Sequence, residues 1–293
     1  MQNILICPYC QSTLLIKSSK GFGIAKCSCD LYPVIEGIIF LQKNDLKTNN
    51  VLVSLIKEKK YLTTVWTALS TSSLIHRIVT FSFYLILKKF KINLPFSILL
   101  FVLKILGPSK SWFSYLVNRQ QIGNLSIAVK QFRDTGDSEV VIDVGCGIGH
   151  FIKELQNATD PKTPIIIGID KNFLTLFMAT MFLTKKPVLI CSNIEDGFPI
   201  TNHSANRVLF LDSFAWIFGK SRVLNDAGRV LKKRGHLSLI NIFPATPKTK
   251  PWGYGIASNK LRLLLHNNFN YLVYTKNSRD SKDLGFSMWA RKK

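Results

Sequence analysis

The passage from Glu139 to Gly149 constrains this chain more than any other. Glu139-Val140-Val141-Ile142-Asp143-Val144 is a short apolar run of the kind a buried strand needs. It breaks at once into Gly145-Cys146-Gly147-Ile148-Gly149, ahead of a helix expected to begin near His150. Glycines belong where a strand turns abruptly into a helix and a ligand must lie against the backbone. The spacing discriminates between cofactors, because the dinucleotide fingerprint G-x-G-x-x-G would need glycine where His150 stands.

The rest of the C-terminal region continues the alternation of short β-rich runs with helical stretches, the pattern of a parallel sheet covered on both faces. A second strand, Ile165 to Ile169, ends in Asp170-Lys171 ahead of a helical run from Phe173 to Leu183. A third, Pro187 to Ser192, runs into Asn193-Ile194-Glu195-Asp196-Gly197, and a fourth, Arg207 to Leu211, ends at Asp212-Ser213-Phe214. A helix through Val223-Leu224 leads into a fifth strand, with Lys233-Arg234-Gly235 expected as the turn before it. A helix near Lys260 to His266 and the stretches FNYLVYT and GFSMWARK complete the series as an expected closing hairpin.

The sequence VVIDVGCGIGHF and the ordered segments after it resemble the class I S-adenosylmethionine-dependent methyltransferases, of the methyltransferase type 11 kind. The resemblance implies a Rossmann-like, seven-stranded α/β sheet and a cofactor site built from Asp143, Gly145, Cys146, Gly147, Gly149, Asp170, Lys171, Asn193, Ile194 and Asp212. In it Asp143 would help hold the cofactor's ammonium group, Asp170 would accept the two ribose hydroxyls, and Asn193 would stand at the adenine edge, where the family carries an acid. A bland alternative for Asp170 is capping the next helix, which Asn172 could equally do. Asp212, at the end of the fourth strand, is the candidate for a side chain near the methyl acceptor. Asn206 departs from an acid common in the family, and His150 and His203 are read as loop or helix-surface residues rather than bases.

Near the N-terminus, Cys7-Pro8-Tyr9-Cys10 is a C-x-x-C knuckle, and Cys27-Ser28-Cys29 follows at a distance that one small β-fold can close. Four thiolates suit tetrahedral zinc, although the C-x-C pair has a tighter bite than the usual C-x-x-C. Together with Tyr32-Pro33-Val34-Ile35-Glu36-Gly37-Ile38, these residues resemble the Trm112-like zinc ribbon, a module that accompanies or is fused to methyltransferases as a structural or activating part. Reduced thiols without metal are the alternative. The module is too small to bury much core of its own, a lack that a structural metal would offset.

Between these parts, residues 44–137 read as helical and strongly basic. The net charge of the chain is +22, and from Leu46 to Arg133 the only acidic residue is Glu58. The runs Leu74 to Leu87 and Leu94 to Leu106 are apolar and aromatic but shorter than the ~20 residues that span a bilayer. Two readings stay open: a pair of helices lying in an anionic membrane surface, or helices that cover the catalytic domain.

The expected organisation is therefore a zinc ribbon over residues 1–43, a helical lid or linker over 44–137 and a methyltransferase domain over 138–293. No secretory leader pattern opens the chain, so an intracellular, cytoplasmic protein is expected, with peripheral membrane association following from the middle region. The expected acceptor is a small hydrophobic or lipid-like molecule. RNA is the rival, supported by the charge, though charge alone provides only sequence-independent affinity. A methyltransferase-like scaffold without turnover is the non-enzymatic alternative, resting on Asn193 and Asn206.

Overall fold

The computed structural model describes residues 4–42, 46–71, 74–90, 123–162, 164–183, 185–244, 255–276 and 286–293. The run from Leu94 to Leu106 lies outside the described residues, as do its lysines and the second of the two middle-region helices read from it.

The central strand β5 (Val140–Val144) is buried along its whole length. Strands alternate side chains between faces, and β5 does so: Val140, Ile142 and Val144 join one hydrophobic cluster, while Val141 joins the other. β6 (Ile165–Asp170), β7 (Val188–Cys191), β8 (Ala205–Leu211) and β9 (Leu231–Ile242) flank it in parallel. β10 (Phe269–Lys276) and β11 (Phe286–Lys292) close this end, β11 running antiparallel to β9. The seven strands stand in the order β7-β6-β5-β8-β9-β11-β10. The chain thus winds outward from β5 in one direction and then returns to wind in the other. The resulting switch point, between β5 and β8, is where open α/β sheets bind ligands.

Helices cover both faces. Among the described residues α5 (His150–Ala158), α6 (Phe173–Phe182) and α4 (Gly123–Phe132) pack on one, and α7 (Lys220–Val230) and α8 (Ser258–His266) on the other. His150 is only 3% exposed, so it belongs to the interior and not to the helix surface expected for it. Lys233-Arg234-Gly235 do not separate two elements either. They form an excursion within β9, whose pairing with β8 skips from Leu231 to His236 while β8 advances from Ala205 to Arg207.

The cysteine segment departs furthest from expectation. β1 (Leu15–Ser19), β2 (Phe22–Lys26), β3 (Leu31–Ile35) and β4 (Ile38–Phe40) form an antiparallel series. Its last strand then pairs in parallel with β7, aligning Ile38 with Leu189 and Phe40 with Cys191. One sheet of eleven strands results. The segment consequently needs no separate core: Leu5, Leu14, Tyr32, Val34 and Leu41 share a cluster with Phe198 and Ile200.

The middle region rests on this extension. α1 (Leu46–Lys57) and α2 (Tyr61–Ala68) carry Leu52, Ile56 and Val65 into the second cluster, and Tyr61 stacks on Phe22 with ring centroids 4.5 Å apart. α3 (Leu74–Phe90) crosses to α6 through Tyr84 and Phe177, 5.2 Å between centroids. Among the described residues no helix is long and apolar enough to cross a membrane.

Candidate functional site

A cavity of about 290 Å³ opens at the carboxyl ends of β5, β6, β7 and β8, close to the lower end of the ~300–1,000 Å³ range of small-molecule sites. The glycine turn forms its floor. Gly145, Gly147 and Gly149 all hold positive φ, at 72°, 56° and 81°. At Gly145 a side chain would collide with Ser213, since an added Cβ would lie 2.4 Å from the serine Cβ. Backbone is thereby exposed to whatever enters.

Asp170 is fixed by that turn. Its Oδ2 accepts from the Gly147 N–H and its Oδ1 from the Asn172 N–H, each at 2.8 Å. Asn172, not Asp170, caps α6 by accepting from the Leu174 N–H at 3.0 Å. The capping alternative for Asp170 is thus occupied by its neighbour. A carboxylate is an acceptor-only group with two oxygens, the chemistry that suits hydroxyl donors from a ligand.

The loop after β7 makes the opposite wall. Asn193 caps a short 3₁₀ turn, Ile194–Asp196, by accepting from the Glu195 N–H at 3.2 Å. Glu195 in turn accepts from the N–H groups of Phe218 and Gly219, tying this loop to the one after β8. Ser192 lines the cavity at 1% exposure, and its hydroxyl has no partner among the described residues. Burying a hydroxyl without a partner is costly, which marks Ser192 as a position awaiting a ligand's polar atom.

At the far side stands Asp212, 6% exposed and at φ 57°. Asn241 of β9, at φ 58°, donates from its side-chain amide to Asp212 Oδ1. Asp and Asn tolerate the left-handed region better than other non-glycine residues, which allows both backbones to turn these two side chains toward each other. Asn241 sits at a bulge where the β9–β11 register shifts, and its N–H donates to Ser287 Oγ at 3.2 Å. Trp216 and Ile217 complete this apolar wall.

Of the residues assigned to the cofactor from sequence, Gly145, Gly147, Asp170, Lys171, Asn193, Ile194 and Asp212 line the cavity. Asp143, Cys146 and Gly149 lie behind it. Asp143 is buried within β5 at 2% exposure, Cys146 packs its sulfur over Gly168, and Gly149 leaves room for Leu183. These three shape the turn rather than face the cavity. Sequence reasoning missed Ser192, Glu195 and Asn241, and reached Ser213 only as part of the Asp212-Ser213-Phe214 strand end. Position just after a strand was the available signal for Ser192 and Ser213, whereas nothing local pointed to Asn241.

The cysteines form a second centre. The sulfurs of Cys7, Cys10, Cys27 and Cys29 all lie within 4.8 Å of one another. Cys7 and Cys29 are 3.8 Å apart and Cys27 and Cys29 3.3 Å, against about 3.8 Å for a tetrahedron with zinc–sulfur bonds of ~2.3 Å. The C-x-C bite is thus the tighter one. Burial pushes the Cys27 thiol up against the opposing hydrogen bonds of Cys29 and Asp30, burial and hydrogen bonds with the other thiols push Cys29 up, and hydrogen bonds involving Ser12 and Ser28 outweigh burial at Cys10 and hold it at about 5. Four sulfurs gathered this closely are compatible with a structural zinc, whose charge would stabilise them as thiolates.

The two centres are joined. Tyr9, inside the knuckle, donates to Asp196 Oδ2 at 3.0 Å. Ile6 N–H donates to Pro199 C=O at 3.1 Å, and Leu41 N–H to Cys191 C=O at 2.7 Å. The Gln42 amide donates to the Lys171 carbonyl. The cysteine segment therefore holds the loops after both β6 and β7.

Residues 142–239 match a family described as "Methyltransferase domain". No curated protein matches the chain. Among solved structures, the chain is similar to the YcgJ protein of Bacillus subtilis, at 12% identity over 58% of this chain and 98% of that one, with a TM-score of 0.46. It is also similar to a SAM-dependent methyltransferase of Aquifex aeolicus, at 18% identity over 58% and 92%, TM-score 0.44. A third is phosphoethanolamine N-methyltransferase 2 of Haemonchus contortus with S-adenosyl-L-methionine, at 15% identity over 58% and 52%, TM-score 0.46.

Proposed function

We propose that this chain, which carries a class I S-adenosylmethionine-dependent methyltransferase domain, methylates a small, hydrophobic or lipid-like acceptor. The observation that carries the reading is the two-sided cavity. One side offers the Asp170 carboxylate and the orphan Ser192 hydroxyl, while the other offers Asp212 beside the apolar Trp216 and Ile217. The first side fits a nucleoside and the second an apolar acceptor with one polar reacting atom.

S-adenosylmethionine, when bound, supplies both the electrophilic methyl group and the leaving group. The chain's own work is to bind and align. Asp170 would accept the ribose hydroxyls, and Ser192 and Asn193 would meet the adenine edge. An O–H or N–H acceptor gains a methyl group and loses one proton. The Asp212 carboxylate, steadied by Asn241, is the group placed to receive that proton or to hold the acceptor.

The scaffold alternative loses one of its two supports. Asn206 lies at the start of β8, the end of the sheet away from the cavity, where its Oδ1 accepts from the Val140 N–H at 3.1 Å and from Lys232 Nζ at 2.9 Å. Its departure from the family is a matter of strand anchoring. RNA remains the second reading on the strength of the +22 charge.

The test begins with isothermal titration of S-adenosylmethionine and S-adenosylhomocysteine into wild type and Asp170→Ala. It continues with transfer of labelled methyl to a lipid extract and to total RNA. Micromolar binding that weakens in the variant, with label entering the organic phase, supports the proposal. Label in RNA supports the second reading, and absence of binding by folded wild type returns the scaffold reading. An Asn241→Gly variant, which keeps the positive φ of this position, should lower turnover about tenfold with little change in cofactor affinity, because the hydrogen bond steadying Asp212 is lost.

A further inference from the structure

α3 presents a face that a soluble helix normally keeps polar. Leu74, Ile75, Ile78, Leu85 and Ile86 are exposed by 64%, 66%, 48%, 39% and 51%. They recur at intervals of three and four residues, so with Ser82 they form one stripe along the helix. The opposite face is already used: Thr80 and Tyr84 are buried, Tyr84 packs on Phe177, and Arg77 lies over the Trp66 ring at 3.9 Å. The stripe is therefore the outward side of a docked helix and not an unsatisfied core face.

We propose that this outward face of α3 docks on an anionic membrane, the aliphatic stripe entering the interface and the cationic charge of the chain drawing it to the lipid headgroups. Charge selects the occupant. No acidic residue lies on α3, the one carboxylate against its inner side, Glu36, is matched by Lys88 at 3.2 Å, and Glu58 is the only acid from Leu46 to Arg133 in a chain of net charge +22. A second copy seated on the stripe would bring two strongly cationic surfaces together. Nucleic acid would satisfy the charge but leave the aliphatic side chains in water. An interfacial bilayer site satisfies both. At 17 residues α3 spans about 25 Å, enough to lie along a bilayer surface. Through Tyr84 and Phe177 the docked helix is braced on α6, whose first turn supplies Thr175 to the cavity wall. The proposal rests on α3 and the charge distribution, so it stands or falls separately from methyl transfer.

The experiment is co-sedimentation of the full chain with vesicles of phosphatidylcholine alone and of phosphatidylcholine mixed with phosphatidylglycerol, at physiological salt. Wild type is compared with Ile78→Ser/Ile86→Ser, which trims the stripe without altering charge, and with Leu74→Ser/Ile75→Ser at its other end, in case one pair misfolds. Wild type should sediment with the anionic vesicles and hardly with the neutral ones. Each double variant should lose at least about tenfold in partitioning while keeping its melting temperature and cofactor titration. Three results overturn the proposal: no vesicle binding by wild type, undiminished binding by both variants, or a wild-type dimer that the variants convert to monomer. Binding of polyuridylate in place of vesicles, insensitive to the stripe variants, would also overturn it.

Discussion

The cysteine knuckle and the glycine turn are both short loops that gather small groups around a guest, but they are held in opposite ways. Around the turn, β5 is buried at every position, and its shape is set by packing: Ser213 over Gly145, Leu183 beside Gly149. Beside the knuckle, β1 has four of its five residues exposed, and although Cys7 and Cys27 are buried in the apolar cluster, Cys10 is half-buried and Cys29 exposed, so packing holds one side of the sulfur group and leaves the other to a metal. The first loop should survive without its ligand. The second should lose its exposed side, at Cys10 and Cys29, without one. The difference teaches that a metal at the cysteines would act beyond its own loop, because the same segment reaches across to the loops after β6 and β7 through Tyr9 of the knuckle and through Leu41 and Gln42 after β4.

The comparison can be broken most directly by removing the metal ligands. A Cys27→Ser/Cys29→Ser variant should lose bound zinc, melt at least ~10 °C lower and bind S-adenosylmethionine at least tenfold more weakly. Metal analysis, a thermal melt and calorimetry check this, and unchanged cofactor affinity would show the two loops to be independent. From the other side, Asp170→Ala should cost about thirtyfold or more in cofactor affinity, as expected for losing charge-assisted hydrogen bonds of ~1.5–3 kcal/mol. Its zinc content should be that of wild type.

Tyr9→Phe isolates the wire between them. Removing the hydroxyl, which reaches both Asp196 Oδ2 and the Leu41 carbonyl, deletes ~1 kcal/mol of hydrogen bonding and predicts up to about fivefold weaker cofactor binding with zinc retained, whereas a purely local role would leave affinity alone. Ser192→Ala should weaken binding by a few fold yet leave the melting temperature of the ligand-free protein the same or slightly higher, because the hydroxyl it removes is buried without a partner among the described residues.

The smallest effect concerns pH. Partial desolvation, then the nearby Arg207 and Arg291, lower the pKa of His236, a surface residue of β9. The unfolded chain therefore takes up a proton at a pH where the folded chain does not. Its contribution to stability is present above the ordinary histidine value of about 6.5 and is lost as pH falls from there toward the depressed folded value. A His236→Gln variant should flatten that part of a stability–pH curve measured by denaturant unfolding.

Much of the catalytic half was legible because its signals are local. Val140 to Val144 must be buried on both faces, and the glycines that follow admit few conformations, so strand, turn and helix follow from a dozen residues. Asp170 was legible for the same reason, as the last residue of a strand. Lys233 to Gly235 were misread because glycine beside basic residues also suits a bulge, and only the register against β8 distinguishes the two. His150 looked like a surface residue from its place at a helix start, but α5 packs its first turn inward.

What the sequence by itself determined is what neighbours along the chain can decide: the alternation of strands and helices, the glycine turn that favours a sulfonium nucleoside over a dinucleotide, and the cysteine spacing that suits zinc. Tertiary structure alone decided that β4 would pair with β7 and merge the cysteine segment into the catalytic sheet, that Asn241 would steady Asp212, and that α3 would turn its aliphatic side outward. The physical reason is that these outcomes depend on which unpaired strand edge, buried polar atom or apolar face finds a partner in space. Such partners lie tens to more than a hundred residues away, where no local pattern records them.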